Sequence, residues 1–384
     1  MTVTKPSLEL LRELSDEHVL RALMDESRLT RAELAARTGI SKPTVGESVR
    51  RLEAAGVVVD TGARTTGRGR AGSYYALANG IGCALAVSIA PEGITAEIVD
   101  AHGDVVARAV EQAARPARSA AVAASVRRAG RRASALAHAP IRLAVVSAAD
   151  PVHRTTGRLV LLPDAPFGAG ELSPAQDLAD LVAGPVLVDN DVNWAARAER
   201  LVAESGSMDD FVYLYLGEGL GCAVVSDGEV RRGHGGIAGE IAHLVTAGPG
   251  GRAMAFIDVF ADLGVRRRGS TAIDVAALRT ALTGPGAAGQ ATREVLGTAV
   301  GGVISAAVAL ADPAVIVLGG SWGADPVTVE LVRAACNRLA RPVALRPALL
   351  ARNAPLAGVR AQAVRELRSA ITQYRRTMPR DELN

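Results

Sequence analysis

The apolar positions in the N-terminal segment recur with the period of three short α-helices. The first helix is expected over residues 16–26. A capping box, Thr30-Arg31-Ala32-Glu33, opens the second helix, and Gly39 ends it. Ser41 is a favourable N-cap for the third helix, which ends before Gly56. Three short helices with a tight turn before the third predict a helix-turn-helix.

The N-terminal turns of the third helix carry polar side chains suited to contact with DNA. In a helix-turn-helix, this helix enters the major groove with its N terminus first. Lys42 and Arg51 are placed to meet phosphates, whereas Thr44 and Ser48 could approach base edges. The predicted DNA-contacting set of this helix is Ser41, Lys42, Thr44, Ser48 and Arg51.

A β-hairpin wing is predicted directly after the three helices. The valines at residues 57–59 favour a strand, and residues 74–77 favour a returning strand. Residues 61–72 are rich in glycine and arginine, which suits a flexible tip that contacts phosphates or a narrow minor groove. The competing interpretation is a small helical domain with a solvated basic loop, but the hairpin beside the helices favours DNA binding. The arginines of the predicted tip are Arg64, Arg68 and Arg70.

The rest of the chain alternates strands and helices with glycine turns at strand ends, which predicts an α/β sheet protein. Ligands of such proteins bind beyond the strand ends, often in a crevice between lobes. Strands are expected at residues 83–89, 94–99, 141–146, 186–188, 211–216, 222–226 and 315–318, and helices within residues 119–138, 175–182, 293–311, 327–340 and 359–375.

Bulk properties narrow the class of protein. A chain of 384 residues is too long for one ordinary core. The three cysteines lie far apart, without metal-ligand or redox spacing. The first residues lack the pattern of a signal peptide, and no charge-free run is expected to span a bilayer. We therefore expect a cytoplasmic protein with no membrane partner. The net charge is only +3, so the overall charge does not by itself indicate a nucleic-acid-binding protein.

Four motifs, taken in order and spacing, resemble the ROK family of bacterial repressors and sugar kinases. The motifs are Val188-Asp-Asn-Asp-Val-Asn193, Gly233-His-Gly-Gly-Ile-Ala-Gly-Glu-Ile-Ala-His243, Val315-Ile-Val-Leu-Gly-Gly320 and Asn353-Ala-Pro-Leu-Ala-Gly358. The resemblance implies an actin-like ATPase fold with two lobes behind a winged helix-turn-helix. The expected divisions are 1–78 for the DNA-binding domain and 79–384 for the ROK-like domain. The latter would comprise a first lobe at about 79–192, a second at about 193–357 and a C-terminal helix, 358–376, that returns to the first lobe.

The same resemblance implies two phosphate-binding loops, and both are altered here. Where the family has Asp-x-Gly-Gly-Thr-Lys, this chain has Ser88-Ile-Ala-Pro-Glu-Gly93, so Ser88 replaces the metal-binding Asp and Glu92 adds a negative charge. Where the family has Gly-Thr-Gly-x-Gly, Glu218 stands in place of the hydroxyl residue. Two like charges 4 Å apart repel by about 4 kcal/mol at an effective dielectric constant near 20. The altered loops therefore argue against ATP binding, a bound cofactor and kinase activity.

The sugar-contacting positions of the family are retained more fully. By resemblance, Asn190, Asp191, Glu240 and His243 would contact a sugar, with Asp258 as a shortened version of a further acidic contact. Without the resemblance, Asn190 and Asp191 could simply be helix-capping residues. The cysteines of the family's zinc loop are missing, so no metal site is expected.

These observations favour a ligand-responsive DNA-binding regulator, a homodimer that binds an inverted repeat in double-stranded DNA and senses a sugar or sugar phosphate. Two alternatives stay open. One is a sugar kinase with an appended DNA-binding head, and the other is a regulator whose ROK-like body is only a dimerisation scaffold.

Overall fold

The structure, a computed structural model, describes residues 8–66, 71–113, 118–162, 167, 170–203, 208–350 and 353–377, with side chains up to residue 373 in the last helix. It consists of an N-terminal head and a body with two sheet-containing lobes.

The head contains three helices and a small antiparallel sheet with strand order β1-β3-β2. The predicted capping box is present, because the Thr30 hydroxyl accepts the Glu33 N–H while the Glu33 carboxylate accepts the Thr30 N–H at 2.7 Å. Gly39 ends the second helix with a φ of 70°, a left-handed conformation that glycine adopts without strain. The elements are α1 (Leu8–Asp25), β1 (Leu29–Thr30), α2 (Arg31–Thr38), α3 (Lys42–Ala54), β2 (Val58–Arg64) and β3 (Ser73–Leu77).

The first lobe is built on a five-stranded mixed sheet with order β6-β5-β4-β7-β8. Its elements are β4 (Cys83–Ala90), β5 (Gly93–Val99), β6 (Val105–Glu111), α4 (Ser119–Ser134), β7 (Ile141–Ala148), the short α5 (Pro174–Asp177) and β8 (Val186–Asn190). Strands β4, β7 and β8 run parallel, so their carboxyl ends meet at one edge of the sheet. The polar start of α6 (Asp191–Val202) follows β8 directly and therefore lies at this edge.

The second lobe has a five-stranded sheet with order β11-β10-β9-β14-β15 and a separate hairpin of β12 and β13. Its largest buried cluster lies between this sheet and four helices, and Trp322 is fully buried there, 5.8 Å from the ring of Phe260. The elements are β9 (Phe211–Leu216), β10 (Leu220–Ser226), β11 (Glu229–Val230), β12 (Val245–Ala247), β13 (Ala253–Ala255), α7 (Phe256–Asp262), α8 (Val275–Thr283), α9 (Gly286–Ala311), β14 (Val315–Gly319), α10 (Pro326–Cys336) and β15 (Ala344–Pro347).

The last helix, α11 (Ala354–Thr377), packs across β4, β7 and α6 of the first lobe. A buried ion pair fixes it there, since the Arg360 guanidinium donates three hydrogen bonds to the Glu97 carboxylate on β5, at 2.8 to 3.1 Å. Helix α4 packs on the sheet mainly over β5 and β6.

Helix α9 is long and apolar enough to cross a membrane by length and composition alone. Of its most apolar window, 44% is buried inside the protein. It packs against α8, α10 and β12.

Most of the strands and long helices lie where the sequence predicts them. The helix expected within residues 175–182 is wrong in extent, because only Pro174–Asp177 is helical and a series of turns follows. Several elements are not among those expected from the sequence: β1, β6, β11, β12, β13, β15, α6, α7 and α8.

Candidate DNA interface and effector cleft

The N-terminal turn of α3 presents an exposed polar surface. Ser41 caps the helix by accepting the Thr44 N–H at 3.4 Å, and its hydroxyl also pairs with the Thr44 hydroxyl at 2.8 Å. Lys42 is exposed beside them and has no charged partner among the described residues. An exposed cation at the positive end of a helix dipole forms a surface that attracts phosphate.

Two residues of the predicted DNA-contacting set face the interior of the head instead. Ser48 is fully buried and donates its hydroxyl proton to Asp16 of α1. Arg51 also binds Asp16, at 2.7 Å, and its guanidinium is mostly covered. The expectation that Ser48 approaches a base edge is therefore wrong, because that side chain lies on the same face of α3 as Val45 and Leu52. Arg51 serves a buried ion pair between α1 and α3.

The wing is partly described. Arg64 is exposed at the end of β2 and pairs with Asp60 at 2.9 Å. Arg68 and Arg70 lie outside the described residues. The structure adds two exposed arginines that the sequence analysis did not single out, Arg28 and Arg31, each 5.0 Å from a tyrosine ring centre on β3, Tyr74 and Tyr75 respectively.

A cleft of about 860 Å³ opens between the two lobes. The expected effector residues and the altered phosphate loops line the same cavity. A ligand beside the effector residues would therefore interact with the charges of the phosphate loops as well. The predicted residues that line the cleft are Ser88, Glu92, Asn190, Asp191, Glu218, Glu240 and His243.

Asn190 and Asp191 are helix caps and cleft residues at once. The Asn190 side-chain oxygen accepts the Val192 N–H at 2.9 Å, and its amide nitrogen lies 3.4 Å from the carbonyl oxygens of Ala148 and Asp150. The Asp191 carboxylate accepts the same Val192 N–H at 2.8 Å. The capping interpretation and the ligand interpretation are thus compatible, because the start of α6 forms part of the cleft wall.

Carboxyl groups crowd the floor of the cleft. Burial is the largest cause that raises the pKa of Asp191, to about 7; the Val192 N–H lowers this pKa, and the nearby charges of Glu240, Asp150 and Glu92 contribute to the rise. Burial also raises the pKa of Glu240 to about 7, again with a contribution from Asp150. Asp150 is 2% exposed and was missed by the sequence analysis, although its position directly after β7 could have indicated it.

Glu240 is held in place by a close backbone approach. The carbonyl of Gly239 accepts the Cys222 N–H of β10 at 2.9 Å, and Gly239 has a φ of 98°. A Cβ at this position would lie 1.8 Å from the Cys222 carbonyl oxygen, so only glycine fits. His243 follows on a single helical turn, Ile241–His243, where its side chain is exposed.

Asp258 does not join these residues. It is absent from the cleft wall, its side chain is 56% exposed, and its carboxylate lies 3.7 Å from the guanidinium of Arg266. Its contact with a sugar stays a prediction, and the neighbouring Ile257 lines the cleft.

The segment expected to replace the zinc loop is the β12–β13 hairpin. It contains no thiol, and an Arg252–Asp262 ion pair and a hydrogen bond from Thr246 to the Ala299 carbonyl secure it. This set of side chains does not fit zinc. Among the described residues, no three His, Cys, Asp or Glu side chains come together in a way that could hold a metal ion.

The two phosphate-loop positions differ in their electrostatics. Glu92 is exposed in the turn between β4 and β5, where Ala90 and Pro91 also line the cleft. Glu218, in the turn between β9 and β10, forms an ion pair with Arg267. The carbonyl of the preceding Gly217 accepts the indole N–H of Trp322 at 2.9 Å. Two groups of the second loop, the Glu218 carboxylate and the Gly217 carbonyl, are therefore already bonded to side chains of the protein, and Arg267 offsets the negative charge of Glu218.

Together, the fold and the cleft define a winged helix-turn-helix head on a body of the sugar-kinase type. The ROK family profile matches residues 84–362, and a profile described as winged helix-turn-helix DNA-binding matches residues 12–59. The chain belongs to the ROK family.

Comparisons with individual proteins include both regulators and kinases. A solved structure of a ROK family transcriptional regulator, a homolog of the E. coli Mlc protein, aligns with a TM-score of 0.64 at 18% identity, covering 94% of this chain and 99% of that one. A glucokinase from Streptomyces griseus, solved with glucose and AMPPNP, aligns with a TM-score of 0.56 at 21% identity over 74% of this chain and all of that one (100%). A xylose repressor from Caldicellulosiruptor bescii is 41% identical over 59 residues, which are 15% of each chain. That match spans only a small part of the repressor, and the structural likenesses show the fold alone.

Proposed function

We propose that this protein is a transcriptional regulator, a repressor, that binds double-stranded DNA through its head. The observation that carries this proposal is the exposed N-terminal turn of α3, in a head that has the winged helix-turn-helix topology and sits on a ROK body. The name of the xylose repressor that it resembles supports repression rather than activation.

In this proposal Lys42 contacts phosphate, and Ser41 and Thr44 lie at base edges. Arg64, Arg68 and Arg70 contact phosphates of the DNA backbone beside the major groove that receives α3. Two copies of the chain would place two heads on the half-sites of an inverted repeat, about one helical turn or more apart. We further propose the domain divisions 1–78 and 79–384, a cytoplasmic homodimer, and a body that holds no cofactor.

The test of DNA binding begins with selection of bound fragments from a random library, followed by fluorescence anisotropy on the recovered sequence. Lys42→Ala should weaken binding to all sequences and lower the slope of log K against log salt by about 0.9. Thr44→Ala should relax the sequence preference and leave that slope unchanged. Arg37→Ala on α2, whose arginine pairs with Glu26, is the matched control. Unchanged binding by both the Lys42 and the Thr44 variants would overturn this assignment of the interface.

We also propose that the cleft binds a sugar or sugar derivative as effector. Polyols require several partners, because each buried hydroxyl left unpaired costs about 1–3 kcal/mol. Asn190, Asp191 and Glu240 together offer carboxyl and amide groups in one cavity. His243 is exposed and no zinc loop orders it, so we assign it a weaker role.

Isothermal titration with D-xylose, D-glucose and their phosphates tests the effector proposal. Asp191→Asn should weaken the binding of the sugar that binds, whereas Asp180→Asn, whose side chain is 85% exposed elsewhere on the body, should not. If no sugar binds, and if Asp191→Asn and Glu240→Gln leave the affinity for DNA unchanged, the scaffold alternative is favoured.

Phosphoryl transfer is absent from the function we propose. Ala90 and Pro91 put side chains and a fixed φ where a phosphate-binding backbone would have to approach, and Glu92 adds negative charge. One observation favours the alternative of a kinase with a DNA-binding head: the Arg267 partner neutralises Glu218. Titration with Mg-ATP in the presence of each sugar separates the two, because binding in the micromolar range or sugar turnover would favour the kinase.

A further inference from the structure

The last helix connects the effector cleft with the DNA-binding head. At its N-terminal end, Ala354 and Leu356 line the cleft. Twelve residues beyond Leu356, or about 18 Å along the helix axis, Arg368 reaches the head. A rigid helix of this length can link events at one end to contacts at the other.

Arg368 binds two other segments of the chain at once. Its guanidinium donates to the Met24 carbonyl at 2.9 Å and to the Asp25 carboxylate at 3.0 Å, at the end of α1 in the head. It also donates to the Ala101 carbonyl at 2.8 Å, in the turn between β5 and β6 of the first lobe. In the same turn, the His102 ring nitrogen Nδ1 lies 3.2 Å from the Met24 carbonyl oxygen.

The chemistry of this joint suits arginine. The last carbonyls of a helix lack intrahelical partners and carry the negative end of the helix dipole. A guanidinium presents several donors in a fixed plane and can serve two or three acceptors together, which the point charge of lysine cannot. The Arg368 side chain is 31% exposed, so these bonds are partly shielded from water and from salt.

Helix α11 is also fixed tightly to the helix that carries the cleft residues. Gly358 packs against α6 so closely that a Cβ there would lie 2.1 Å from the Trp194 carbonyl oxygen. The same α6 begins with Asp191. The Arg360–Glu97 ion pair anchors α11 to β5 between Gly358 and Arg368. Contacts therefore connect α6, at the cleft, through α11 to the end of α1 in the head.

We propose that Arg368 is the positioning residue that sets the orientation of the DNA-binding head on the body. This inference rests on the proposed function. A fixed orientation holds two heads of a dimer at the spacing of the two half-sites, so that binding of the first head makes binding of the second effectively intramolecular. Arg368 itself touches no DNA, and its loss leaves the recognition surface of each head intact.

The test compares the affinities of the full chain for a complete inverted repeat and for a single half-site, both taken from the selected sequence. Arg368→Ala should weaken binding to the complete repeat by about tenfold or more and change half-site binding less than twofold. Arg368→Lys should restore the affinity only in part. The matched control is Arg365→Ala, one turn earlier on the same helix, whose guanidinium bonds to Gln362 on α11; it should leave both affinities unchanged.

Hydrogen–deuterium exchange of the full chain gives a second readout, independent of DNA. Arg368→Ala should increase exchange in residues 19–26 and 101–104 and leave the core of the second lobe unchanged. If this variant does not fold, Asp25→Ala, which removes one contact of a 52% exposed side chain, should show a smaller change in the same direction in both readouts.

An unchanged ratio of full-site to half-site affinity, together with unchanged exchange at these segments, would overturn the role of Arg368. Wild-type binding to DNA would then still support the proposed function. Failure of the wild type to bind any DNA would instead contradict the proposed function. The exchange result alone would then test whether Arg368 holds the head on the body.

Discussion

The crowded carboxyl groups of the cleft make a specific prediction about pH. In the unfolded chain, Asp191 and Glu240 ionise near the ordinary pKa values of Asp and Glu, about 4. In the folded protein burial raises the pKa of each to about 7. The folded state therefore retains protons that the unfolded state has already lost. The resulting stabilisation is complete below about pH 4 and disappears progressively as the pH rises through 7.

The size of the effect follows from the pKa difference. A difference of about three pH units for Asp191 corresponds to about 4 kcal/mol of unfolding free energy. Because the cleft is open to water, we expect about half of this, ~2 kcal/mol, over the whole range from pH 4 to pH 8, of which ~1.4 kcal/mol falls between pH 5 and pH 8. Asp191→Asn removes the titrating group. Its advantage in stability over the wild type should therefore grow by ~1.4 kcal/mol from pH 5 to pH 8.

Urea unfolding curves at pH 5, 6, 7 and 8 measure this difference as a shift of the midpoint. Asp180→Asn, at an 85% exposed carboxylate, should follow the wild type at every pH. If Asp191→Asn lost stability between pH 5 and pH 8 as much as the wild type does, the carboxyl groups would not share one buried site. The model of a single acidic effector cleft would then be refuted.

Three further predictions concern the framework around these sites. Arg360→Ala should lower the unfolding free energy by about 3–5 kcal/mol, because Glu97 is 1% exposed and would lose its main partner; the double variant Glu97→Gln, Arg360→Met should recover most of the loss in the same urea assay. Ser48→Ala should destabilise the head by about 1–3 kcal/mol, measured by thermal melting, and leave the DNA sequence preference unchanged; an altered preference would place this residue at the interface after all. Purified protein should contain far less than one zinc per chain by elemental analysis, and a stoichiometric amount would contradict the account of the β12–β13 hairpin.

Local sequence signals predicted the head well because its helices are bounded by strong caps. Thr30, Gly39 and Ser41 each determine a helix end through hydrogen bonds or backbone conformation within a few residues. The expectation for Ser48 was wrong because it relied on the polarity of the side chain and not on the helical spacing of the buried positions. Its helical spacing from Val45 already placed it inward, but its buried partner, 32 residues away, could not be identified from local sequence.

The cleft was predicted in part. Motif resemblance identified Asn190, Asp191 and Glu240, which all line the same cavity. It also indicated Asp258, which lies outside the lining of this cavity, with its carboxylate 3.7 Å from the guanidinium of Arg266. The partner of Glu218 was missed because Arg267 is 49 residues away in the chain. The short strands of β12 and β13 were missed as well, since their stability comes from pairing rather than from their own sequence.

The central claim, that the chain is a sequence-specific DNA-binding regulator, is tested most directly by genome-wide mapping of the DNA it occupies. The wild type is compared with a double variant, Lys42→Ala, Thr44→Ala. The account predicts a small set of sharp sites that share an inverted repeat and that the variant fails to occupy. No enriched sites, or the same occupancy in both proteins, would contradict it.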